Sequence, residues 1–301
     1  MKQIDRSPIN DGNLEPFISC KDYTVSHETF SIFIDEINEL LITTPQPIEE
    51  ELGRYYESED YISHSDIKKS LVDKLYQWVR SFTIKKKVKL INSFDNEEKS
   101  ILDVGMGTGD FLSACQNDGW QVTGIEPNEK AKAIANSKLK HKTHQIFNSI
   151  TDLQLSTQQS APHTYNVITM WHVLEHVPNL SAYISQLKLL LKTNGTLIVA
   201  VPNFKSYDAK YYKEFWAAFD VPRHLWHFSK KAIAELFLKE NMEVVKVLPM
   251  KFDSFYVSLL SEKYKTGRSN LFKAFFIGWR SNLQARSTKE FSSHIYIIKN
   301  K

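Results

Sequence analysis

The sequence predicts an α/β fold with a largely parallel sheet, and two observations lead to this prediction. Residues 101–115 combine a short apolar strand, a turn with alternating glycines and the start of a helix. From there to the C-terminus, strand patterns alternate with helix patterns, which is typical of a parallel sheet with crossover helices. The chain has 301 residues, of which 42% are hydrophobic and 12% aromatic, enough for one large domain with or without a smaller unit.

Composition and charge argue against several classes of protein. The formal net charge of +3 is too mild to predict a nucleic-acid partner. The two cysteines, Cys20 and Cys115, cannot form a disulfide framework and fit a reducing compartment. The N-terminal residues lack the apolar centre of a signal peptide, and no run approaches the roughly 18–20 apolar residues of a membrane span. We therefore expect a cytoplasmic protein with no membrane partner, whose oligomeric state stays open.

The first 98 residues predict two small units ahead of the main domain. Residues 1–64 form a small N-terminal unit, with possible short strands at 23–26 and 29–34 and a turn at 43–47. Residues 65–98 form a helical linker or cap, because apolar side chains recur there at three- and four-residue spacing. The lysines at 85–89 are interpreted as the solvated end of this helix, with a nucleic-acid patch as the alternative.

The glycine turn is the first candidate binding site. Residues 101–104 predict a buried strand, and Gly105, Gly107 and Gly109 alternate directly after it. Glycine adopts positive φ without strain and lets a ligand approach the backbone closely. The helix that follows presents free backbone N–H groups, so the turn predicts a site for a polar ligand.

An acidic residue after the second strand narrows the type of ligand. Residues 121–125 predict a strand that ends in Glu126 and Pro127. An acid at this place in nucleotide-binding α/β folds accepts hydrogen bonds from ribose hydroxyls, and a solvated loop carboxylate is the alternative. The dinucleotide fingerprint G-x-G-x-x-G fits poorly, since Asp110 stands where its third glycine belongs.

The remaining elements complete the α/β pattern. The sequence predicts, in order, a helix at 128–137, a weak strand at 143–147, a polar loop at 151–163, a strand at 165–170, a helix at 179–191, a strand at 196–201, an aromatic-rich insertion at 204–228, a helix from Ser229 to about 240, a strand at 243–247, helical residues 253–290 and a last strand at 293–298.

A second candidate site follows the strand at 165–170. Residues 172–176 match H-x-x-E-H, the inverted zinc-protease motif, in which His172 and His176 would bind a metal. Such a site needs a longer helix than Pro178 allows. The sequence therefore predicts no metal here, and a zinc hydrolase is kept as a minor alternative.

Several stretches resemble one enzyme family. Residues 101–111 resemble the first motif of class I S-adenosyl-L-methionine (SAM) methyltransferases, a hydrophobic strand with an acid and then G-x-G-x-G. The run V-L-E-H-V at 173–177 is typical of the same family and is similar to quinone O-methyltransferases. Residues 20–26, 44–47, 55–66 and 220–229 resemble a bacterial group of these enzymes, many of which begin with a four-cysteine zinc ribbon.

The resemblance, which runs from about Cys20 to the last strand, implies a fold and a domain division. The fold is a Rossmann-like, seven-stranded, mostly parallel sheet with helices on both faces and a small N-terminal cap, the seventh strand lying antiparallel between the fifth and sixth. The SAM-binding domain is residues 99–301. In the N-terminal unit, Asp35 and Asn38 stand where a C-x-x-C pair would be, and Cys20 is interpreted as the one remaining ligand. A structural zinc needs four ligands, so we expect a degenerate ribbon with no metal.

The resemblance implies SAM as the cofactor and assigns residues to it. Gly105 and Gly107 would meet its methionine part, Glu126 its ribose, Asn148 and Ser149 its adenine, and Met170, Trp171 and His172 its sulfonium. Asp103 would order the loop from below, and Gly109 and Pro127 complete the set of cofactor-binding residues. For Trp171, core packing is the alternative.

The acceptor side is predicted from histidines and an arginine. A hydroxyl or carbon acceptor needs a base, for which His176, His224 and His172 are candidates, with His176 or His224 preferred. Arg223 would hold an acidic group of the substrate, unless it pairs with Asp220. His227, Tyr61 and His64 would complete the substrate side, although the aromatic residues near 61 could instead fasten the N-terminal unit to the core.

The predicted function is methyl transfer from SAM to a small molecule. A phenol- or quinone-type oxygen is the first candidate acceptor, and a nucleotide sugar methylated on carbon or nitrogen is the alternative. A SAM-binding protein without turnover is the alternative from another class.

Overall fold

The computed structural model describes residues 1–56, 71–94, 98–139, 145–157 and 164–301. The strands are β1 Glu15–Lys21, β2 Thr29–Asp35, β3 Leu40–Thr44, β4 Ser100–Val104, β5 Gln121–Ile125, β6 Gln145–Phe147, β7 Tyr165–Trp171, β8 Leu191–Pro202, β9 Trp226–His227, β10 Met242–Pro249 and β11 Ser293–Asn300. The helices are α1 Glu49–Leu52, α2 Leu71–Ile91, α3 Asp110–Asn117, α4 Glu129–Lys138, α5 Ile150–Thr157, α6 Leu180–Leu190, α7 Tyr207–Tyr212, α8 Lys230–Lys239, α9 Asp253–Thr266 and α10 Leu271–Thr288.

The main sheet has seven strands in the order β10-β11-β8-β7-β4-β5-β6. Strands β8, β7, β4, β5 and β6 are parallel, and β11 lies antiparallel between β8 and β10. Side chains alternate between the two faces, so that Ile101 and Leu102 enter different hydrophobic clusters, each covered by helices. The expected Rossmann-like fold is confirmed, including the position of its last strand.

Most predicted elements of the main domain are present. Strand β5 has the predicted bounds, and β6 is the predicted weak strand, whose first two residues lie outside the described ones. The helical stretch 253–290 is two helices. Gly267 ends α9 in the left-handed conformation, and the side chain of Asn270 accepts the N–H of Lys273 to begin α10.

A second sheet, β1-β2-β3-β9, combines the N-terminal residues with the insertion at 204–228. Its last strand, β9, pairs with Leu41 and Ile42 of β3. Two predictions were wrong here. Residues 23–26 are a turn rather than a strand, because the Asp22 carboxylate accepts the backbone N–H groups of Thr24 and Ser26 at 3.0 and 2.7 Å. Thr43 and Thr44 belong to β3 rather than to a turn.

Hydrogen bonds occupy the place where the resemblance puts a cysteine pair. The Asp35 carboxylate accepts the backbone N–H and the side-chain amide of Asn38, at 3.0 and 2.6 Å, and also the hydroxyl of Ser7. Cys20 is not part of this group. Cys20 pairs with Phe30 of β2. Phe30 is five residues before Asp35 on the same strand, which places Cys20 about 16 Å from Asp35. Burial raises the pKa of Cys20 to about 12, and the degenerate ribbon remains a prediction.

Helix α2 contains the lysine run and continues to Ile91. Lys85, Lys86 and Lys89 are exposed, as predicted, but Lys87 is partly buried and points into the protein. Tyr61, His64 and the predicted cap of this helix at Ser65 lie outside the described residues. Among the described helices, none combines the length and the apolar character that crossing a bilayer requires.

We predict that Asn38→Ala lowers the free energy of unfolding by about 1–2 kcal/mol, because it removes a buried side-chain donor to Asp35. Urea unfolding measures the loss, with exposed Asn13→Ala as the control. EDTA is expected to change neither midpoint. Stoichiometric zinc in protein purified without chelators, or a midpoint that EDTA lowers, would contradict the prediction of a metal-free ribbon.

Candidate functional site

The loop between β4 and α3 lies at the carboxyl edge of the parallel strands. Gly105, Gly107 and Gly109 have φ of 69°, 54° and 74°. A Cβ atom on Gly105 would lie 2.5 Å from Val173 Cγ2, and one on Gly109 would lie 2.8 Å from Ala135 Cβ. A Cβ on Gly107 would meet nothing within 4 Å. The outer glycines therefore allow close packing, while the backbone of Gly107 borders open space.

Glu126 connects this loop to the end of β5. Its Oε2 accepts the N–H of Gly107 and its Oε1 accepts the N–H of Asn128, both at 2.9 Å. Burial raises the pKa of Glu126 above its ordinary value, and the two N–H donors oppose that rise. Each oxygen keeps a second lone pair, so the carboxylate can accept two hydroxyl groups of one ligand.

An open cavity of about 390 Å³ lies between α2, the glycine loop and α9. This volume falls within the range of small-molecule sites. The loop side of its lining includes Met106, Gly107, Thr108, Asp110 and Phe111, the α2 side includes Val79, Arg80, Thr83, Ile84 and Lys87, and the α9 side includes Phe252, Asp253 and Tyr256.

Lys87 and Trp171 meet beside this cavity, and sequence reasoning missed the lysine. Its Nζ lies 4.0 Å from the centre of the Trp171 ring. The ring of Phe111 packs edge to face against the same Trp171 ring, with ring centres 5.7 Å apart. Burial lowers the pKa of Lys87 to about 8, against the opposing influence of the Asp103 and Asp253 carboxylates. The face of Trp171 thus already binds the ammonium group of Lys87. A ligand sulfonium at this face would lie beside that ammonium group or replace it.

The other residues assigned to the cofactor lie around the same strand ends. Asp103 is buried below the loop and accepts the hydroxyl of Thr169 at 2.5 Å, and burial raises its pKa to about 7. The backbone N–H of Glu126 donates to the carbonyl oxygen of Phe147, the last residue of β6. The residues after β6 therefore lie next to Glu126. Ser149 begins α5 by accepting the N–H of Asp152 at 3.1 Å.

Three further residues assigned to the cofactor differ in how accessible their side chains are. The side-chain oxygen of Asn148 accepts the ammonium of Lys132, and Pro127 is exposed. The side chain of Met170 is fully buried in the main core. Only the first two therefore lie where a bound molecule could reach their side chains.

His172 lies between two carboxylates at the cavity wall. It has a φ of 57°, its Nδ1 is 3.3 Å from Glu175 Oε1, and its Nε2 is 3.1 Å from Asp253 Oδ2. Burial favours the neutral ring, but the two carboxylates outweigh it and raise the pKa of His172 to about 10. His172 is therefore a cation at neutral pH and has no free lone pair. The ion pairs of His172 therefore favour one of the other histidines as the base.

His176 has the opposite character. Residues Leu174–His176 form a single 3-10 turn, so His172 and His176 do not share a helix face as a zinc-protease motif requires. Burial, and then His224, lower the pKa of His176 to about 4. Its Nδ1 lies 3.0 Å from the carbonyl oxygen of Arg223, which can only accept, so Nδ1 carries the hydrogen and Nε2 the lone pair. The Tyr56 oxygen is 2.9 Å from the same nitrogen.

His224 and His227 lie behind His176. The rings of His176 and His224 have centres 4.6 Å apart, and Nδ1 of His224 donates to the Ala218 carbonyl at 2.9 Å. Thr43 donates to the His224 carbonyl, so its oxygen accepts from Nε2 of His227 at 3.0 Å. Burial, and then His224, hold the pKa of His227 well below its ordinary value. His227 thus fastens β3 to the insertion and is itself buried.

Arg223 is fully engaged inside the protein. Its Nε and Nη2 contact Asp220 at 3.0 and 2.6 Å, Nη2 also contacts Asp22 at 3.1 Å, and Nη1 donates to the Tyr55 carbonyl at 3.0 Å. The alternative of pairing with Asp220 is confirmed, so we do not propose Arg223 as a contact for an acidic substrate group. Its contact with Asp22 could not be predicted, because 201 positions separate the two residues.

One group of side chains has the composition of a cation site. Ligand atoms of Glu175, His176 and His224 lie within 4.8 Å of one another. That spacing is loose for zinc, because bonds of about 2.1 Å to a tetrahedral ion place nitrogen ligands about 3.4 Å apart. The expectation of no metal remains a prediction.

Comparisons with known proteins agree with this arrangement. Residues 78–247 match a family described as "Methyltransferase domain". A ubiquinone biosynthesis O-methyltransferase of Nitrosomonas europaea is 33% identical over 107 residues, which cover 35% of this chain and 45% of the relative. One from Dechloromonas aromatica is 28% identical over 185 residues, covering 56% of this chain and 73% of the relative.

The matches to the relatives are partial, whereas a solved structure is similar over most of the chain. The chain spans about half the length of curated relatives that it matches, 45% in the Nitrosomonas europaea protein and 46% in one from Haemophilus ducreyi. The structure of magnesium protoporphyrin IX methyltransferase from Synechocystis PCC 6803 with bound SAH has a TM-score of 0.55 at 15% identity, covering 84% of this chain and 100% of that one. At that identity the likeness shows the fold.

We predict that Gly105→Ala destabilises the protein more than Gly107→Ala does. Both substitutions place alanine at positive φ, which costs about 1–2 kcal/mol. Only Gly105→Ala also drives a methyl group into Val173, for a further loss of about 1–3 kcal/mol. Urea unfolding compares the two, and Val173→Ala in the Gly105→Ala background is expected to restore part of the difference. Equal losses in the two single variants would contradict this description of the loop.

Proposed function

We propose that this chain, which belongs to the methyltransferase domain family, transfers a methyl group from SAM to an oxygen of a small-molecule acceptor. The observation that carries the proposal is the hydrogen bond from Gly107 to Glu126 beside an open cavity. It sets a carboxylate with spare lone pairs next to an exposed stretch of backbone, at the carboxyl ends of parallel strands. This combination suits a ligand with a ribose at one end and a charged amino-acid group at the other.

The side chains around the cavity fit the two ends of such a ligand. Glu126 accepts the ribose hydroxyls, and residues 148–149 lie beside it for the adenine. On the α2 side, Lys87 and Arg80 supply positive charge toward a carboxylate. Asp110 already binds Arg80 at 2.5 Å and Lys138 at 3.0 Å, which leaves Lys87 as the cation that we assign to the ligand. SAM supplies a methyl group that is already activated and a leaving thioether that is neutral.

His176 is the base in this proposal. Phenolic oxygens have pKa values near 10, so at neutral pH their proton must be removed as the methyl group arrives. His176 is neutral and has its lone pair on Nε2, and Nδ1 is fixed by the Arg223 carbonyl. Nε2 would take the proton of the acceptor while the acceptor oxygen bonds to the methyl carbon and the bond from that carbon to the sulfur of SAM breaks, which leaves S-adenosylhomocysteine (SAH).

The cationic His172 has a positioning role in this proposal. Its two ion pairs connect Glu175, next to His176, with Asp253, which lines the cavity. The protonated ring keeps the buried Glu175 ionised and holds the wall of the cavity in place. The names of the relatives favour an acceptor that resembles a quinone precursor and is methylated on oxygen. Nucleotide sugars are the control acceptors in the activity assay.

The first test is calorimetric titration with SAH. We expect binding near micromolar dissociation constants, about −8 kcal/mol, and a loss of about tenfold or more in Glu126→Ala because the ribose loses a charged acceptor. Glu129→Ala removes an exposed carboxylate nearby and is expected to bind as the unsubstituted chain does. No binding by a folded chain would remove the proposal, and a loss of equal size in both variants would remove the role of Glu126.

The second test measures SAH formation with phenolic acceptors. His176→Ala is expected to lower kcat by about 10²–10⁴ while the affinity for SAH stays unchanged. Because the pKa of His176 lies near 4, the base is already deprotonated at pH 6–8 and kcat should be flat there. Exposed His27→Ala is the control. Loss of SAH affinity matching the loss of turnover would contradict the assignment of His176. SAH binding without turnover on phenols or nucleotide sugars would favour a non-catalytic SAM-binding protein.

A further inference from the structure

Helix α10 has an unusually apolar solvent face. Phe272 is 92% exposed, and the other members are between 44% and 64% exposed. We call this surface the α10 face, and it consists of Leu271, Phe272, Phe275, Phe276, Trp279 and Leu283. Exposed large apolar side chains are common singly, but a continuous group of this kind marks an interaction site.

The α10 face is not the side by which the helix packs onto the protein. At 100° per residue, its members span about 140° of the helix circumference. The buried residues Ala274, Ile277, Gly278, Ser281 and Ala285 occupy the opposite side. Gly278 lets α9 approach closely, since a Cβ there would lie 2.8 Å from Phe255 Cδ1. The helix therefore has two apolar sides, and among the described residues only one of them is buried against the rest of the protein.

Basic residues predominate along α10 and in the residues next to it in the sequence. Residues 263–289 contain seven lysines or arginines and no aspartate or glutamate, although the whole chain has 38 basic and 35 acidic residues. Lys273 and Arg280 flank the face on the helix, Lys273 bound to the buried Glu262 at 3.2 Å and Arg280 stacked over Tyr207 at 5.1 Å. An apolar, aromatic stripe with basic borders has the composition of helices that lie in a membrane interface.

The α10 face continues toward the cavity through stacked rings. Phe275 stacks on Phe255 with ring centres 5.3 Å apart, and Phe255 is three residues after Phe252, which lines the cavity. Phe252 contacts Phe82, which stacks on the exposed Trp78. A flat partner that covered the α10 face would thus come near the rim of the cavity.

We propose that the α10 face docks onto a membrane surface that contains anionic lipids, with its aromatic side chains among the headgroups. The contact is peripheral, so it departs from the expectation of no membrane partner without requiring a spanning helix. A second copy of the chain fits less well, because a symmetric contact would bring the basic borders of two α10 helices together. The proposal does not depend on the methyltransferase function.

The test is sedimentation of the full chain with lipid vesicles. We expect binding to vesicles with roughly 30% phosphatidylglycerol in phosphatidylcholine, weak binding to phosphatidylcholine alone, and weaker binding at about 0.5 M salt. Phe272→Ser with Phe276→Ser should lower the partition coefficient by about tenfold or more, since two aromatic side chains no longer enter the interface. Ile37→Ser with Leu189→Ser removes two equally exposed apolar side chains elsewhere and should bind as the unsubstituted chain does.

Three results would overturn the proposal. They are no vesicle binding by the unsubstituted chain, equal losses in the two double variants, and equal binding to neutral and anionic vesicles. Analytical ultracentrifugation without lipid tests the alternative that the α10 face joins two copies of the chain. A dimer that dissociates in the Phe272→Ser with Phe276→Ser variant would support that alternative. Near-ultraviolet circular dichroism checks that each variant is folded.

Discussion

The hydrogen bond from the Gly107 N–H to Glu126 determines the shape of the candidate site. It connects the ends of two neighbouring parallel strands, and it forms only because the loop adopts left-handed conformations at Gly105, Gly107 and Gly109. A buried carboxylate needs donors, and here the backbone N–H groups of Gly107 and Asn128 provide them. The cavity opens beside this bond because nothing occupies the space that a Cβ of Gly107 would enter.

A row of alternating charges extends from the cavity into the interior. Asp253 contacts His172, His172 contacts Glu175, and Glu175 adjoins the rings of His176 and His224. Beyond them the insertion is fastened to the N-terminal sheet by Arg223, which binds two carboxylates. Removing one partner from such a buried group leaves an uncompensated charge, which is far more destabilising than losing a surface pair. The small sheet is therefore part of the structure that keeps the second half of the site in place.

The sequence predicts what depends on neighbouring residues and misses what depends on distant ones. The glycine loop and the position of Glu126 at the end of a strand follow from local patterns, and the order of strands follows from the family resemblance, so they could be predicted. The ionisation of His172 could not, because its carboxylate partner Asp253 lies 81 positions away and nothing in the motif points to it. Lys87 illustrates the same limit: within a run of lysines it has no distinguishing feature, and only packing against Trp171 makes it different.

The pairing of β3 with β9 has a consequence for how the chain is made. Thr43 and His227 are 184 positions apart, so at about 5–20 residues per second the ribosome releases β3 roughly 10–40 s before its outer neighbour exists. During that interval β3, whose five residues are all buried in the final fold, is the open edge of a three-stranded sheet and can pair with other chains. The small sheet therefore stays one strand short until residues 226 and 227 have been made.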